Sequence, residues 1–197
     1  MNILALSDLE SEYLWSSAAA ARQPVDLILS CGDLDPHYLS YLATYNHAPV
    51  LYVHGNHDEG YCHTPPEGCI CVEDQIYVHQ GVRILGLGGS VRYNRGKHQY
   101  TQSEMNWRVR RLSLSLLRHR GFDLLLTHAP ARGINDAHDL PHQGFSAFCS
   151  LMDQFQPRIM VHGHVHLNYG MEFPRQTQYQ QTRIINAYER FRFSLYP

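Results

Sequence analysis

Six side chains that bind metal ions well each stand just past a short apolar run: Asp8, Asp33, Asn56, His128, His164 and His166. The runs are residues 3–6, 25–29, 50–53, 122–126 and 159–161. The donors are carboxylate and amide oxygens and imidazole nitrogens with no thiolate, a set that suits Mn²⁺, Fe²⁺ or Zn²⁺ in a water-accessible site. They exceed what one ion needs. Two ions sharing a carboxylate would use the surplus, and such a pair can clamp both the attacking and the leaving oxygen of a phosphoryl displacement. Histidine is also abundant, 14 in 197 residues, and imidazole is both the commonest metal ligand and the side chain that titrates near neutrality.

Side chains so scattered along the chain need a scaffold that gathers them. The five runs are too short for helices and suit strands buried on both faces, with crossover helices over 9–22 and 37–45 as in βαβ units. Functional groups of open α/β sheets collect beyond the carboxyl ends of the strands, where these donors stand. Residues 76–79 and 82–87 read as two strands around Gly81, followed by a polar loop over 92–100. Thr101, with Glu104 three residues on, predicts a capped helix to about Arg120. A further helix is expected after 141–144, ending near Phe155, and two or three antiparallel strands over 169–196.

The motifs Asp8-Leu9-Glu10, Gly32-Asp33-Leu34-Asp35, Gly55-Asn56-His57-Asp58, Thr127-His128 and Gly163-His164-Val165-His166 follow the order and spacing of the calcineurin-like metallophosphoesterases, which the chain resembles over essentially its whole length. The resemblance implies an α/β fold, a four-layer αββα sandwich of two mixed β-sheets flanked by helices, as one domain over 1–197. It implies a dinuclear site in which Asp33 bridges, Asn56, His128 and His164 complete one position, and Asp8 and His166 serve the other. His57 would bind no metal and would act on the phosphate or its leaving oxygen, while a metal-bridging hydroxide attacks phosphorus in line. Two positions depart from the family pattern. Glu10 replaces a histidine and is expected to reach the same ion as Asp8, because side chains two apart on an extended end point the same way. Pro36 replaces the aspartate that supports the catalytic histidine, which leaves Asp35 and Asp58 as candidates for that support.

The remaining chemistry is secondary. A formal charge of −2 disfavours a protein that coats nucleic acid or anionic membrane. Charged residues at 17% and hydrophobic ones at 44% exclude disorder. Five cysteines, with no basic-apolar leader and no spanning segment, suit a reducing cytoplasm. Cys62, His63, Cys69 and Cys71 resemble half a zinc site but lack its spacing, so a surface loop with free thiols is expected. Arg92, Arg95, Lys97 and His98 form a candidate cationic rim over the phosphate. Of Arg132, Asp136, His138 and His142, the last is favoured to overhang the site. His162 is expected to be buried or to support a ligand. Arg108, Arg110, Arg111, Arg118 and Arg120 suggest the solvated face of one helix. The expected activity is hydrolysis of a small phosphodiester or phosphomonoester with two divalent ions (Mn, Fe or Zn), manganese favoured for its tolerance of oxygen donors. The alternative is a non-catalytic metal-binding scaffold for protein interaction, which only Glu10 and Pro36 favour.

Overall fold

The apolar runs become strands because each has a hydrophobic surface to cover on both faces. In the computed structural model, which describes residues 1–167 and 173–195, β1 (Asn2–Ser7), β2 (Leu27–Ser30), β3 (Val50–Tyr52) and β4 (Cys69–Cys71) run parallel. A second sheet holds β5 (Gln75–His79), β6 (Val82–Leu87), β9 (Leu124–Thr127), β10 (Ile159–His162), β11 (Gln176–Tyr179) and β12 (Thr182–Asn186), in the order β11-β12-β10-β9-β6-β5. Between β6 and β9 lies a small parallel pair, β7 (Ser90–Val91) with β8 (Gln99–Tyr100). The last strand, β13 (Glu189–Ser194), returns to the first sheet antiparallel to β1. Both large sheets are therefore mixed. Ile3 and Ala5 on one face of β1 pack with Leu124, Leu126 and Val161 of the opposite sheet, while Leu4 and Leu6 on the other face pack under helices with Leu14, Leu39 and Leu42. The second sheet is covered on its outer face by Met105, Leu116, Phe148 and Leu151. The result is the expected order of layers, helix, sheet, sheet, helix.

The helices depart from expectation where serine offers the backbone another partner. The first crossover is two single turns, α1 (Glu12–Trp15) and α2 (Ala18–Ala21); Ser16 Oγ donates to Tyr13 O and Ser17 Oγ accepts from Ala20 N to start the second turn. The second crossover is α3 (Pro36–Tyr45), capped by Asp35. The helix predicted from Thr101 starts with the expected capping box but is divided at Leu112 into α4 (Gln102–Arg111) and α5 (Ser113–His119), where Ser113 Oγ bonds back to Arg110 O at 2.5 Å. A helix α6 (Ser146–Phe155) follows one short 3₁₀ turn. Cys69 and Cys71 lie on edge strand β4 and not in a loop, with thiols free. Part of the stretch 169–196 lies outside the described residues; the described part supplies β11, β12 and β13, of which β11 and β12 form an antiparallel pair.

Arg108 is not on a solvated face. It falls on the inner stripe with Met105 and Leu112, and it is 6% exposed. Its guanidinium donates to Asp74 Oδ1 at 2.9 Å and Gly88 O at 2.8 Å, pairs with Glu73, and lies 4.3 Å above the Tyr100 ring. Glu73 in turn accepts from His54 N and Nδ1, both at 3.0 Å, and from Gly88 N at 3.2 Å. This ion pair thus ties the segment after β3 to the segment after β6. Burial alone would raise the Glu73 carboxyl, but the His54 bonds and the Arg108 charge hold it down at about 2. Removing one partner of a buried pair strands the other charge, so Arg108→Met should lower unfolding free energy by about 3–5 kcal/mol in urea denaturation. Because the folded pKa lies below the ordinary 4.5, ionised Glu73 stabilises the fold above that pH and the contribution is lost as pH falls toward about 2. The stability gap between the parent protein and Glu73→Gln should therefore narrow across that acid window.

Candidate metal centre

Three of the gathered side chains sit on residues whose backbone turns left-handed in the short segment beyond a strand end: Asp8 (φ 64°), Asp33 (φ 56°) and His164 (φ 66°). Such a turn takes a non-glycine residue out of the strand direction, at a cost that aspartate bears better than most residues, and it aims the side chain across the strand ends. Neighbouring turns then need almost no volume between them. A Cβ on Gly55 would fall 2.0 Å from Asp33 Oδ1, and one on Gly163 would fall 1.8 Å from Ser7 Oγ. Asp58 fastens two of the turns together, its Oδ2 accepting from Asp33 N at 3.0 Å and Gly55 N at 2.7 Å. Burial and the adjacent Asp33 charge raise its carboxyl to about 6.

Ligand atoms of Asp8, Asp33, His128 and His164 lie within 4.8 Å of one another. Each histidine is fixed by its far nitrogen: His128 Nδ1 meets Cys31 O at 2.8 Å and His164 Nε2 meets Pro141 O at 2.7 Å. A carbonyl can only accept, so in the neutral rings the far nitrogens carry the protons and the near ones present lone pairs. The near nitrogens, His128 Nε2 and His164 Nδ1, are 3.1 Å apart. Asn56 Oδ1 is 2.9 Å and Asp33 Oδ2 3.4 Å from the same His128 Nε2. Four lone-pair groups facing one point suit a cation. The electrostatics agree: burial would lower His128, yet the Asp33 charge outweighs it and raises the imidazole to about 9, while Asp33 is held well below the ordinary carboxylate range. Burial pushes His164 down to about 3. Asp8 Oδ1 is buried with no hydrogen-bond partner among the described residues, and His166 Nε2 stands 3.6 Å from it. An orphaned carboxylate oxygen beside an imidazole is a second place where a cation fits.

The other expected residues divide. His57 is exposed and lines the cleft of about 320 Å³ above these ligand atoms; its own N–H donates to Asp33 Oδ1 at 2.7 Å. His142 lines the same cleft, its ring 5.1 Å from that of His164 and its Nδ1 on Asp139 Oδ2 at 2.5 Å. Glu10 is not brought to the cluster. The left-handed backbone at Asp8 breaks the alternation that would have aligned the two side chains, and the Glu10 carboxylate takes the Trp15 indole N–H instead. Asp35 is occupied capping α3, accepting from His37 N at 2.7 Å. Arg92 is paired with Glu104 at 2.9 Å, Arg95 is exposed, Lys97 Nζ lies 3.4 Å from Cys62 Sγ and His98 stacks on His54, and none of the four lines the cleft. His162 is fully buried, its Nδ1 on Gly163 O at 2.9 Å, and burial lowers it to about 4. The stretch 92–100 does lie over the site, but it contributes Tyr93, whose hydroxyl accepts from Asn56 Nδ2 at 3.1 Å. Tyr93 stands in no motif, between Arg92 and Asn94 in a polar stretch, so nothing in the sequence marks it. A groove of about 370 Å³ between α4, α5 and α6 is lined mainly by apolar side chains such as Val109, Leu116 and Phe155 and gathers no metal donors.

Comparison with known proteins agrees with this geometry. The chain matches the calcineurin-like phosphoesterase superfamily domain over residues 1–187. No curated protein matches it. Among solved structures, it superposes on TT1561 of Thermus thermophilus with a TM-score of 0.63 at 16% identity, covering 95% of this chain and 89% of that one. A hypothetical protein of the same organism gives a TM-score of 0.51 at 16% identity over 94% and 75% of the two chains. A 5'-nucleotidase from Candida albicans gives 0.55 at 12% identity, covering 94% of this chain and 45% of that chain. At such identities the structural likeness speaks for the fold, while the matched domain spans nearly all of this sequence. On that match, and with buried donors arranged to hold a cation, the chain belongs to the calcineurin-like phosphoesterase superfamily and is a metal-dependent phosphoesterase.

Proposed function

We propose that the protein hydrolyses a small phosphodiester or phosphomonoester with two divalent ions, manganese preferred. The observation that carries this reading is the meeting of four ligand atoms within 4.8 Å, two of them on imidazoles locked by backbone carbonyls. Asn56, His128 and His164 would hold one ion, Asp8 and His166 the other, with Asp33 between them. Oxygen and nitrogen donors without thiolate suit manganese. When bound, the pair supplies Lewis acidity toward the phosphoryl oxygens and an activated water for in-line attack.

The chain's own residues do the rest. His57 stands at the cleft edge in the bridge region of backbone space (φ −102°, ψ 0°), its position set by the bond from its N–H to Asp33. We assign it the proton that the leaving oxygen requires. His142 lines the same cleft and serves substrate orientation. Asp58 keeps the Asp33 and Asn56 turns in register through its two backbone bonds. The single-domain organisation and a cytoplasmic setting, consistent with five free cysteines, complete the reading. Among the described residues no helix is long and apolar enough to cross a membrane.

The test is Mn²⁺-dependent release of nitrophenol from bis-p-nitrophenyl phosphate and p-nitrophenyl phosphate, run beside metal analysis. Turnover that rises with bound manganese and disappears on chelation is expected; a protein that stays metal-free and inactive with both esters would instead be the binding scaffold. Since Asp33 serves both ions, Asp33→Asn should lose both or leave one weakly held, and retention of two ions at full occupancy would refute the bridging role. His57→Ala should keep its metals and lose about 10²–10⁴-fold in turnover. That loss should shrink for esters of acidic alcohols, which need little protonation, and an unchanged rate with a poor leaving group would refute the assignment.

A further inference from the structure

Asn56 has an amide with two ends, and only one can face the cation. Its Oδ1 is 2.9 Å from His128 Nε2, at the point where the ligand atoms converge, and its Nδ2 donates to Tyr93 Oη at 3.1 Å. With its amide N–H given to the phenol, Asn56 keeps its oxygen for the point where the ligand atoms converge. In accepting this bond Tyr93 spends a lone pair and keeps its own hydrogen. Among the described residues no acceptor takes that hydrogen, and the side chain lines both the ligand cleft and an adjoining one of about 290 Å³.

The segment that carries Tyr93 is a strap held at both ends and in its middle. Its root is the β7–β8 pair, preceded by Gly89, whose N–H donates to His54 O at 2.7 Å. Gln99, 2% exposed, accepts from the N–H groups of Tyr93 and Asn94 through one oxygen, each at 3.1 Å. Across the cleft, Lys97 N donates to Glu59 Oε1 at 2.8 Å. The strap is thus anchored to the same segment, His54 to Glu59, that carries Asn56 and His57. Two of its cations are engaged elsewhere, Arg92 by Glu104 and Lys97 by Cys62, and neither they nor the exposed Arg95 lines the cleft. What it offers the cleft is a hydroxyl on a fixed backbone.

Resting on the phosphoesterase reading, the geometry points to Tyr93 as a catalytic residue that donates its hydroxyl hydrogen to a non-bridging oxygen of the phosphoryl group, while holding Asn56 for the cation. A donor already in place is strengthened as negative charge builds on that oxygen in the transition state, at no cost of rearrangement at that moment. A hydroxyl suits this work because it directs one hydrogen at one oxygen, where a cationic side chain would attract every anion alike. His57 attends the leaving oxygen; Tyr93 attends an oxygen that stays.

The experiment compares the parent protein with Tyr93→Phe, which keeps the ring and removes only the hydroxyl. Three quantities are read: Mn²⁺ affinity by calorimetry, the dissociation constant of orthovanadate at saturating Mn²⁺, and kcat for bis-p-nitrophenyl phosphate. Circular dichroism and melting temperature verify that the variant is folded, and Tyr93→Trp, which restores a donor, is measured should the phenylalanine form aggregate. The expected result is vanadate bound about tenfold or more weakly, the size of one hydrogen bond to a charged group, and kcat lower by about 10²-fold, as for other single transition-state donors. Unchanged vanadate affinity with unchanged kcat at saturating Mn²⁺ would overturn the role. So would a change confined to Mn²⁺ affinity, since that would leave Tyr93 orienting Asn56 and nothing more. In the tryptophan form, vanadate affinity and kcat near parent values support a donor at this position, and loss of both to the level of Tyr93→Ala overturns it. A parent protein that neither hydrolyses the ester nor binds vanadate with Mn²⁺ would refute the phosphoesterase reading itself, and this assignment with it.

Discussion

Everything at the centre of this molecule depends on left-handed turns placed where strands end. Asp8, Asp33 and His164 each adopt a positive φ, a conformation that costs a residue with a side chain on the order of 1–2 kcal/mol. The cost is met by burial, because the strands before these turns are covered on both faces and cannot shift to relieve it. In return, side chains from β1, β2 and β10 leave their strands sideways and meet. Glycine at 55 and 163 lets the turns approach to distances that any Cβ would forbid. Asp58 then bonds the backbone of two of them.

The same compression creates an electrostatic problem with one good solution. Two carboxylates with largely covered side chains and two buried imidazoles share a volume too small for water to solvate them separately. Without a metal, the set recruits a proton: His128 holds its charge up to about 9 because Asp33 lies beside it. A divalent cation at that point would replace the proton and satisfy the lone pairs of Asn56 and His164 together, whereas a single His128 Nε2 hydrogen can be given fully to only one of them. The orphaned Asp8 oxygen poses the same demand a few ångströms away. Ligand geometry and charge balance are one property here, fixed by where the chain was forced to turn.

Much of this was legible in the residues. Apolar runs too short for helices marked the central strands, and polar clusters after them marked the edge at which ligands gather; Asp8, Asp33, Asn56, His128 and His164 are brought together there. Other features needed coordinates because they depend on dihedral angles or on competition between partners. Glu10 was expected beside Asp8 on the premise of an extended backbone, and a single φ of 64° removed the premise. Asp35 was a candidate to support His57, but a free N–H at the start of α3 lay closer. The sequence offers Arg92 as part of a cationic rim over the phosphate and places Arg108 on a solvated helix face, but the fold pairs them with Glu104 and Glu73. Tyr93 had no motif to announce it; only the strap's anchoring shows why a tyrosine there touches Asn56.

The most direct measurement of the central claim is anomalous diffraction at the manganese edge from crystals soaked in excess Mn²⁺. The proposed two-ion reading predicts one peak enclosed by Asp33, Asn56, His128 and His164, and a second about 3.5–4 Å away between Asp33, Asp8 and His166, the separation usual for paired ions. Empty density at the meeting point of those side chains, or manganese bound only elsewhere on the protein, would contradict it.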